Sequence, residues 1–501
     1  MKRSVYSVLT AILCTILMLP LVTVPAAAYG LQGDLNGDDS ITAADADVLC
    51  GFLCGETDVL RSDTAYFADF DESGTLDARD LTLLLREAQK EAQKKTNPPE
   101  LMPAPVNVLK PAMPSTGDVR LLLVMVDFWD CKFSRQFSEE EVRERVFGAG
   151  TENQAAPYPM DSIRAYYERA SYDRLHIDGD VYRCSINNSL SAYADQPNAL
   201  AEAVLAGLDN QIDYRDYDAN KDGQIDTLMI AVPESAPNPT WWPFSIPYNG
   251  WYSYDGMYPG NLCIGNTPIS HQAEFNGTWL HELGHAMGLP DYYFYENVND
   301  DNYYGFNGDA GWEMMDKAQC DFCAFSKLML GWYTPDEVQV YEGGTQTYRL
   351  GCSQEEPGCI VIPRKDVNGF LSEYFILEFV KPIGNNYCFY ANEQAYYAFT
   401  SSGIRVMHCD ASVVDTYYQT KELKWNNYGQ FYDNSNLRQR VARLANNDEG
   451  GYFFNPGDRI DGSISGFHWY DENGFQTVES GIRISLENAK GKIKVTVSDG
   501  T

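Results

Sequence analysis

The chain has 501 residues, and a single hydrophobic core seldom grows to serve so many, so the length predicts several packed domains. Hydrophobic residues make up 44% of the sequence, which is enough to build cores and excludes a mainly disordered protein. The formal net charge is -34 at pH 7, which repels nucleic acid phosphates and anionic membrane surfaces. We therefore expect neither nucleic acid nor membrane as a partner of the mature protein.

The first 28 residues have the pattern of an export signal. Lys2 and Arg3 precede an apolar run from Val5 to Val24, and Ala26-Ala27-Ala28 supplies the small residues of a cleavage site. The apolar run is nearly long enough to span a bilayer, so an uncleaved membrane anchor is the alternative. We expect residues 1–28 to be removed and the mature protein to be secreted.

Twelve cysteines are scattered along the chain, and eleven of them follow residue 28. This odd number leaves at least one thiol free or paired outside the chain. Cys320 and Cys323 form a single C-x-x-C with no second pair at zinc-finger spacing, so we expect no structural zinc site there. A local disulfide between Cys352 and Cys359 is an arrangement that the sequence leaves open.

Two acidic segments, about 35 residues apart, have the spacing of calcium-binding loops. Each has oxygen-bearing side chains at loop positions 1, 3, 5 and 12 and an aliphatic residue at position 8, as a loop that wraps calcium requires. Each is followed by an apolar run that is typical of a helix. The predicted calcium ligands are Asp34, Asn36, Asp38, Ser40 and Asp45 in the first loop, and Asp69, Asp71, Ser73, Thr75 and Asp80 in the second.

This tandem pair resembles a dockerin, a small calcium-folded module that attaches an enzyme to a cohesin on a scaffold protein. Position 12 is Asp in both loops, as in dockerins, whereas an ordinary EF-hand has Glu there. The resemblance implies a small all-α module at residues 29–93 and a cohesin partner, on a free or cell-surface scaffold. Ala43-Ala44 and Ala78-Arg79 occupy positions that help to choose the cohesin, so its type stays open. The alternative is a calcium-stabilised cap without a partner.

Three further segments follow this repeat. Residues 94–116 are rich in proline and predict an extended, semi-rigid linker. The apolar run Leu121–Val126 predicts a buried strand and Ser162–Ala170 predicts a helix, so residues 117–335 are expected to form an α/β or α+β domain. Residues 336–501 contain alternating runs rich in Tyr, Val and Ile and are expected to form a mostly β domain.

The strongest motif is His281-Glu282-Leu283-Gly284-His285. Residues four apart on a helix lie one turn above each other, so His281 and His285 can bind the same zinc ion. Glu282 would then lie beside the metal and act as the general base that hydrolysis of a peptide bond needs. The alternative is a buried helix whose two histidines are merely hydrogen-bonded.

Asp291 is the predicted third protein ligand of the zinc ion, because a hydrolytic zinc site usually has three such ligands and a water. Gly288 can end the helix in a left-handed turn, and Pro290 prevents the helix from continuing. The chain would thereby turn back towards the metal. In the alternative, Asp291 orients a histidine while a more distant Glu or His completes the site.

Several segments together resemble the immune inhibitor A family of secreted bacterial metalloproteases. The matching segments are the metal-binding motif with its Gly-Leu-Pro-Asp-Tyr tail, Ala165–Tyr172, Trp312-x-x-Met315 and Phe325–Trp332. The similarity covers most of residues 117 to about 410, and the motif is its most specific part. The resemblance implies a metzincin-like zinc endopeptidase domain followed by a β-rich domain. It also implies that Met315 forms the apolar floor under the zinc ion. Most metzincins have a histidine at the position of Asp291.

A third acidic loop lies inside the predicted catalytic domain. Counted from Asp218 it has calcium-loop spacing, but position 12 is Met229, so it is not a complete EF-hand. We expect a structural calcium site here, and the alternative is a solvated turn rich in Asp and Asn. Its candidate ligands are Asp216, Asp218, Asn220, Asp222 and Asp226.

Two other functions compete with that of a scaffold-attached zinc endopeptidase. One is a non-catalytic binding protein with a degenerate protease-like domain, which the presence of Glu282 disfavours. The other is a carbohydrate-directed protein in which Trp241 and Trp242 stack on sugars. No spaced pair of carboxylates supports that reading.

Overall fold

The computed structural model divides the chain into two compact units, Met1–Pro99 and Glu100–Thr501. No helix in the described part of either unit is long and apolar enough to cross a bilayer. The expected export signal, residues 1–28, lies outside the described residues. The structure describes residues 33, 35–36, 41–55, 68–69, 75–96, 109–151, 156–293, 313–316, 320–364, 370–387, 401–415, 421–424, 441–445 and 453–499.

The described part of the first unit contains two helices, and each begins where an acidic loop ends. Helix α1 spans Ala43–Leu53 and helix α2 spans Ala78–Thr96. The Thr42 side chain caps α1 by accepting a backbone N–H of its first turn. So small an apolar core stabilises a short domain poorly, so bound calcium is expected to supply part of its folding free energy. The buried apolar residues described in this core are Leu35, Ala46, Leu49, Ala68 and Leu84.

The predicted linker, residues 94–116, is ordered at both of its ends. Helix α2 continues to Thr96 because the Glu, Ala, Gln and Lys residues before it favour helix. At the other end, Leu109 and Met113 are buried in the core of the second unit, and the N–H of Met113 donates to the carbonyl of Ala286. Between these ends the chain lies outside the described residues. The structure therefore differs from the expectation of a continuous extended linker.

A five-stranded sheet lies at the centre of the first part of the second unit. Its strand order is β2-β1-β4-β7-β5, and β5 alone runs antiparallel to its neighbour. The run Leu121–Val126 lies in β1 and is fully buried, as predicted. Strands β3 and β6 form a separate short ribbon. The strands are β1 (Gly117–Phe128), β2 (Leu175–Ile186), β3 (Gln224–Ile225), β4 (Leu228–Ala231), β5 (Phe244–Pro247), β6 (Tyr258–Pro259) and β7 (Asn261–Gly265).

Helices cover both faces of this sheet and give a three-layer arrangement. The helices are α3 (Glu139–Phe147), α4 (Ile163–Ala170), α5 (Pro197–Leu208), α6 (Gln272–Ala286) and α7 (Ala324–Met329). Successive side chains of a strand point to opposite faces. Leu122 and Val124 of β1 therefore share a core with α5, whereas Leu121 and Leu123 share a core with the other four helices.

Helix α4 ties two distant segments to the helix that carries the histidine motif. It begins at its N-cap Ser162, whose side chain accepts a backbone N–H of the first turn. The hydroxyl of Tyr167 donates to the carbonyl of Leu280 in α6 at 2.7 Å. The hydroxyl of Tyr166 donates to the carbonyl of Cys320, just before α7, at 2.6 Å. Both tyrosines are fully buried, so α4 acts as a brace between α6 and α7.

The rest of the second unit is rich in β structure, as predicted. One sheet has the order β15-β12-β11-β10-β8 and another has the order β16-β19-β20-β9. Cys352 and Cys359, for which the sequence left a local disulfide open, are free thiols. The strands are β8 (Val338–Val340), β9 (Thr345–Leu350), β10 (Cys359–Pro363), β11 (Glu373–Val380), β12 (Gly403–Asp410), β13 (Val413–Asp415), β14 (Lys421–Leu423), β15 (Ala442–Leu444), β16 (Arg459–Ile460), β17 (His468–Tyr470), β18 (Gln476–Glu479), β19 (Ile482–Ala489) and β20 (Lys492–Asp499).

The sheet that contains β10, β11 and β12 is buried on both faces. Ile362 and Phe375 face the four-stranded sheet. Val361 and Ile376, on the opposite face, belong to the same core as helix α6. Burial of both faces explains why Phe375–Val380 is apolar except for Glu378, whereas alternation is usual for a strand with one face in water. The second unit therefore has a core that runs continuously from the histidine motif into the β-rich part.

Candidate metal centre

Helix α6 separates its apolar residues from its two histidines. Leu280, Leu283 and Met287 are buried in the core shared with the first sheet. His281 and His285 lie on another side of the helix and remain partly exposed. Their rings are 4.8 Å apart between centroids and nearly perpendicular. The four-residue spacing therefore brings two imidazoles together at the edge of the core, where a ligand can reach them.

The chain reverses directly after α6. Gly288 has a φ of 97°, in the left-handed region that glycine favours, and a Cβ at this position would lie 2.4 Å from the carbonyl oxygen of Leu109. The N–H of Leu289 donates back to the carbonyl of Gly284 at 3.0 Å. This turn carries Asp291 back over the helix, as the positions of Gly288 and Pro290 predicted.

His281, His285 and Asp291 converge. Oδ1 of Asp291 lies 3.1 Å from Nε2 of His281 and 3.2 Å from Nε2 of His285. The three candidate ligand atoms lie within 4.8 Å of one another, which no other trio of His, Cys, Asp or Glu side chains in the described residues achieves. Two imidazoles and one carboxylate form a donor set that zinc accepts.

Backbone carbonyls fix the orientation of both imidazoles. Nδ1 of His281 lies 2.9 Å from the carbonyl oxygen of Met314, and Nδ1 of His285 lies 2.8 Å from that of Leu289. A carbonyl oxygen only accepts, so each Nδ1 carries a proton. Nε2 of each ring is thereby turned towards Asp291. Such a hydrogen bond on the far nitrogen is the usual support of a histidine that binds a metal.

The electrostatics of the trio suit the binding of a cation. Burial disfavours the charge on Asp291, but hydrogen bonds from His281 and His285 outweigh burial and hold the pKa of Asp291 well below its usual range. Burial also lowers the pKa of His281, yet the hydrogen bond to Asp291 and nearby carboxylates raise it overall to about 9. The carboxylate thus attracts protons to the point that a metal ion would share with the three side chains. Metal binding would displace those protons.

Glu282 is buried beside this trio. Burial raises the pKa of its carboxyl group, and the charge of Asp291 acts in the same direction, whereas His281 and His285 oppose the change. A carboxylate with a raised pKa accepts a proton more readily near neutral pH. Strand β7 contacts the same turn of α6, where the thiol of Cys263 lies 3.6 Å from the carbonyl oxygen of Glu282.

The segment Glu313–Asp316 lies against the helix between the two histidines. Met315 is fully buried, and a Cβ on Gly284 would lie 2.3 Å from its sulfur. Glycine in the middle of the motif is therefore required for Met315 to come so close. The carbonyl of Met315 also accepts the N–H of Tyr292 at 2.8 Å, next to Asp291. Trp312, the first residue of the matching text around Met315, lies outside the described residues.

Glu313 is a supporting residue that the sequence did not single out. Its Oε1 accepts from the hydroxyl of Ser326 at 2.6 Å and from the N–H of Cys323 at 3.2 Å, while Oε2 accepts the N–H of Met315. The carboxyl is fully buried, and burial raises its pKa. Glu313 thus joins the turn under the histidines to the start of α7. An acidic residue beside two buried methionines was the only local signal for this role.

A second buried carboxylate reaches the same point from the β-rich part. Oε1 of Glu378, in β11, accepts the N–H of Ala324 at 3.0 Å and pairs with Nη2 of Arg405, in β12, at 2.7 Å. Both charged side chains are fully buried. The start of α7 is therefore held by Glu313 from one side and by Glu378 from the other. No spacing rule links residues so far apart in sequence.

Tyr293 adds an aromatic contact that the sequence analysis also missed. Its ring stacks on that of His281, with centroids 6.2 Å apart and an angle of 23° between the planes. It follows Asp291 by two residues, so the same turn supplies a metal ligand candidate and a wall for the imidazole. Its partial exposure places it at the mouth of the site.

Four of the five predicted ligands in the acidic loop after α5 take part in hydrogen bonds within the loop. Asp218, Asn220 and Asp222 are joined to one another, and Asp226 accepts the N–H of Ala219 at 3.0 Å. Asp216 is separate from them, exposed in the 3₁₀ helix Tyr214–Tyr217.

The calcium loops of the first unit are described only in part. In the first loop, the buried Asp45 closes the loop onto its own start, since its carboxylate accepts the N–H groups of Leu35 at 2.8 Å and Thr42 at 2.7 Å. Asp80, at the matching position of the second loop, is also buried and accepts the N–H of Asp77. The other described ligand candidates are Asn36, Asp69 and Thr75, and those outside the described residues are Asp34, Asp38, Ser40, Asp71 and Ser73.

Comparison with known proteins identifies one part of the chain. The family model of the dockerin type I domain matches residues 32–87, which contain both acidic loops. A search of curated proteins found no match for the chain. The dockerin prediction for this region is therefore confirmed, and a dockerin type I domain implies calcium binding and a cohesin partner on an extracellular scaffold. The chain bears a dockerin type I domain, followed by an α/β and β-rich unit that contains a convergent His281, His285 and Asp291 site.

Proposed function

We propose that the chain is a secreted zinc-dependent endopeptidase that its dockerin domain attaches to a cohesin on a scaffold. The observation that carries the proposal is the convergence of His281, His285 and Asp291 within hydrogen-bonding distance, with Glu282 buried beside them. A merely structural pair of histidines has no need of a shared carboxylate, of two carbonyls that orient the rings, and of a neighbouring free carboxyl group.

Nε2 of His281, Nε2 of His285 and a carboxylate oxygen of Asp291 would hold the zinc ion. When bound, zinc supplies a Lewis acid that polarises a carbonyl and makes water more acidic. Glu282 accepts a proton from the attacking water and later gives it to the leaving nitrogen of the peptide. Its buried position and raised pKa favour both transfers near neutral pH. The ligand carboxylate of Asp291 also lowers the net charge of the site by one unit relative to a third neutral imidazole.

The edge of the first sheet supports a peptide as substrate. Strand β5 is the last strand in the order β2-β1-β4-β7-β5 and packs against helix α6. An edge strand offers free backbone N–H and C=O groups, which can pair with an extended peptide along its length. Strand β5 contacts the helix that carries the two histidines, so a peptide bound in this way would be held in an extended form along that helix. An extended grip on several residues suits cleavage of internal bonds.

A carbohydrate-directed protein is the second candidate, because large aromatic side chains are exposed. The exposed fraction is 64% for Trp242 and 90% for Trp251. Trp241, in contrast, is buried and packs on Phe128, so it cannot stack on a sugar together with Trp242. Exposed tryptophans can bind a polysaccharide without any hydrolysis. This candidate therefore predicts binding to polysaccharide and no effect of metal removal.

Cleavage of unfolded protein tests the two candidates directly. The purified protein is incubated with a reduced, denatured protein substrate, and the fragments are identified by mass spectrometry. We expect internal cleavage that a zinc chelator abolishes and that added zinc restores. Protein carrying Glu282→Gln, purified in the same way, controls for contaminating proteases. Failure of the zinc-loaded protein to cleave any of several unfolded substrates would refute the proposed activity.

A further inference from the structure

The two ends of the acidic loop Asp218–Asp226, which leads into strand β4 of the first sheet, lie close together. The N–H of Asp226 donates to the carbonyl of Tyr217 at 2.9 Å, so the two ends of the loop meet. Tyr217 is buried, and its hydroxyl donates to Asp180 at 2.8 Å, which fixes one end to β2. The other end leads through Thr227 into β4, at the centre of the sheet.

The backbone of the loop curls around the side chains at its first, third and fifth positions. Asp218 accepts the N–H of Asp222 at 3.1 Å and that of Gly223 at 3.0 Å, one with each oxygen. Asn220 accepts the N–H of Asp222 at 3.0 Å. Gly223 has a φ of 87°, and a glycine at the sixth position gives calcium loops their sharp turn.

Asp226, at the ninth position, points into this loop and carries the second, independent observation. Its side chain is fully buried, and Oδ2 accepts the N–H of Ala219 at 3.0 Å. Oδ1 is also buried and has no hydrogen-bond partner among the residues that the structure describes. Burial, helped by the charges of Asp218 and Asp222 and opposed by the hydrogen bond from Ala219, raises the pKa of this carboxyl to about 7. A buried carboxylate oxygen without a partner is costly unless a cation binds it.

We propose that Asp218, Asn220, Asp222 and Asp226 bind one calcium ion, with Asp226 in the role that the acid at position 12 has in an EF-hand. Position 12 is Met229, which is buried in β4 and cannot be a ligand. Four oxygen-bearing side chains, three of them carboxylates, suit a hard divalent cation. Asp216, the fifth candidate from the sequence, is not a ligand in this site, because it is exposed in the 3₁₀ helix before the loop.

Calcium would act here as a structural ion. The three carboxylates of the loop do not all lie within 4.8 Å of one another, so binding must contract the loop. Contraction would tighten the connection between Tyr217 and β4. The carbonyl of Ile225 also accepts the N–H of Gly260 at 2.7 Å, directly before β7. The site would thus stabilise two central strands, β4 and β7, independently of any zinc chemistry.

Counting calcium ions per chain tests the site. The full chain is equilibrated with calcium, and bound calcium is measured for wild type, Asp226→Asn, Asp218→Asn and Asp216→Asn. Asp226→Asn and Asp218→Asn should each bind one ion fewer than wild type, because each removes a ligand charge. Asp216→Asn, an exposed neighbour with the same chemical change, should bind as many as wild type. Equal calcium content in all four proteins would overturn the proposal.

Hydrogen exchange on the unaltered chain gives a second measurement that does not depend on how the variants fold. Calcium should slow amide exchange in peptides that cover residues 217–229 as well as in those that cover the dockerin domain. The Asp226→Asn chain should lose the slowing at 217–229 and keep it in the dockerin peptides. If calcium slows exchange in the dockerin peptides alone of the wild-type chain, the loop is a solvated turn and the proposal is wrong.

Discussion

The dockerin domain and the candidate metal centre of the second unit differ in how far along the chain their supporting residues lie. In the first dockerin loop, Asp45 closes a loop that begins at residue 34, and its described partners all lie within ten residues. The histidine site has an equally local ligand set, from His281 to Asp291. Its supports, however, come from residues as distant as Leu109 and Glu378. The dockerin loop carries its own support, whereas the candidate zinc site depends on residues from much of the unit around it.

The largest expected effect concerns Glu282, the predicted general base, which is adjacent in sequence to the candidate ligand His281. Glu282→Gln should lower the rate of peptide cleavage by about 100-fold to 10,000-fold, because it removes the general base. It should leave the zinc content unchanged, because Glu282 is not a ligand. The rate and the metal content are measured on the same preparation. Glu274→Gln, exposed on the same helix, is the control, and cleavage at the wild-type rate by Glu282→Gln would refute the assigned role.

The next effect tests whether Asp291 is a ligand or only orients the histidines. Asp291→Ala should lower zinc affinity by more than the 10-fold to 100-fold that loss of an orienting residue typically costs. Activity at limiting zinc should fall with it. Zinc affinity is measured by competition with a chelator, and Asp209→Ala, exposed at the end of α5, serves as control. A smaller loss of affinity would assign Asp291 to orientation and leave the third ligand to be found.

Calcium removal tests whether the loops of the dockerin domain hold their shape without a cation. At about 100 times its dissociation constant, calcium should stabilise each loop that binds it by about 2.7 kcal/mol. Amide exchange in α1 and α2 should therefore slow on adding calcium. Asp45→Asn should abolish the effect in α1, because Asp45 is buried and accepts three backbone N–H groups. Unchanged exchange in α1 would mean that this loop needs no cation to hold its shape.

The smallest expected effect concerns Glu313, which lies more than twenty residues after Asp291 in the sequence. It tests directly whether the candidate metal centre depends on residues outside its own local segment. Glu313→Gln places an amide where an oxygen now accepts the N–H of Met315, so we expect zinc affinity to fall by about 10-fold to 100-fold. Excess zinc should restore activity, which it would not do if the variant were merely unfolded. Glu274→Gln again provides the matched exposed control. If Glu313→Gln binds zinc as tightly as wild type, the metal centre is as self-sufficient as a calcium loop.

Local spacing alone determined several features of this protein. The two acidic loops predicted a dockerin, which the family comparison confirms. The four-residue spacing of His281 and His285, with the breakers Gly288 and Pro290, predicted the helix and the turn that the structure has. These features depend on contacts a few residues apart, so the period of the helix and the chemistry of turns are enough to foresee them. The zinc-binding roles themselves remain predictions.

Tertiary structure decided the rest. The end of the linker packs under α6, Asp216 stands apart from its loop, and Glu313 and Glu378 meet at the start of α7. Each of these outcomes depends on which buried N–H groups and apolar surfaces need partners once the sheets and helices have packed. Those partners come from segments that are up to hundreds of residues apart in the sequence. No local sequence pattern shows which distant segments will meet, so the sequence by itself could predict the ligand candidates but not the residues that hold them in place.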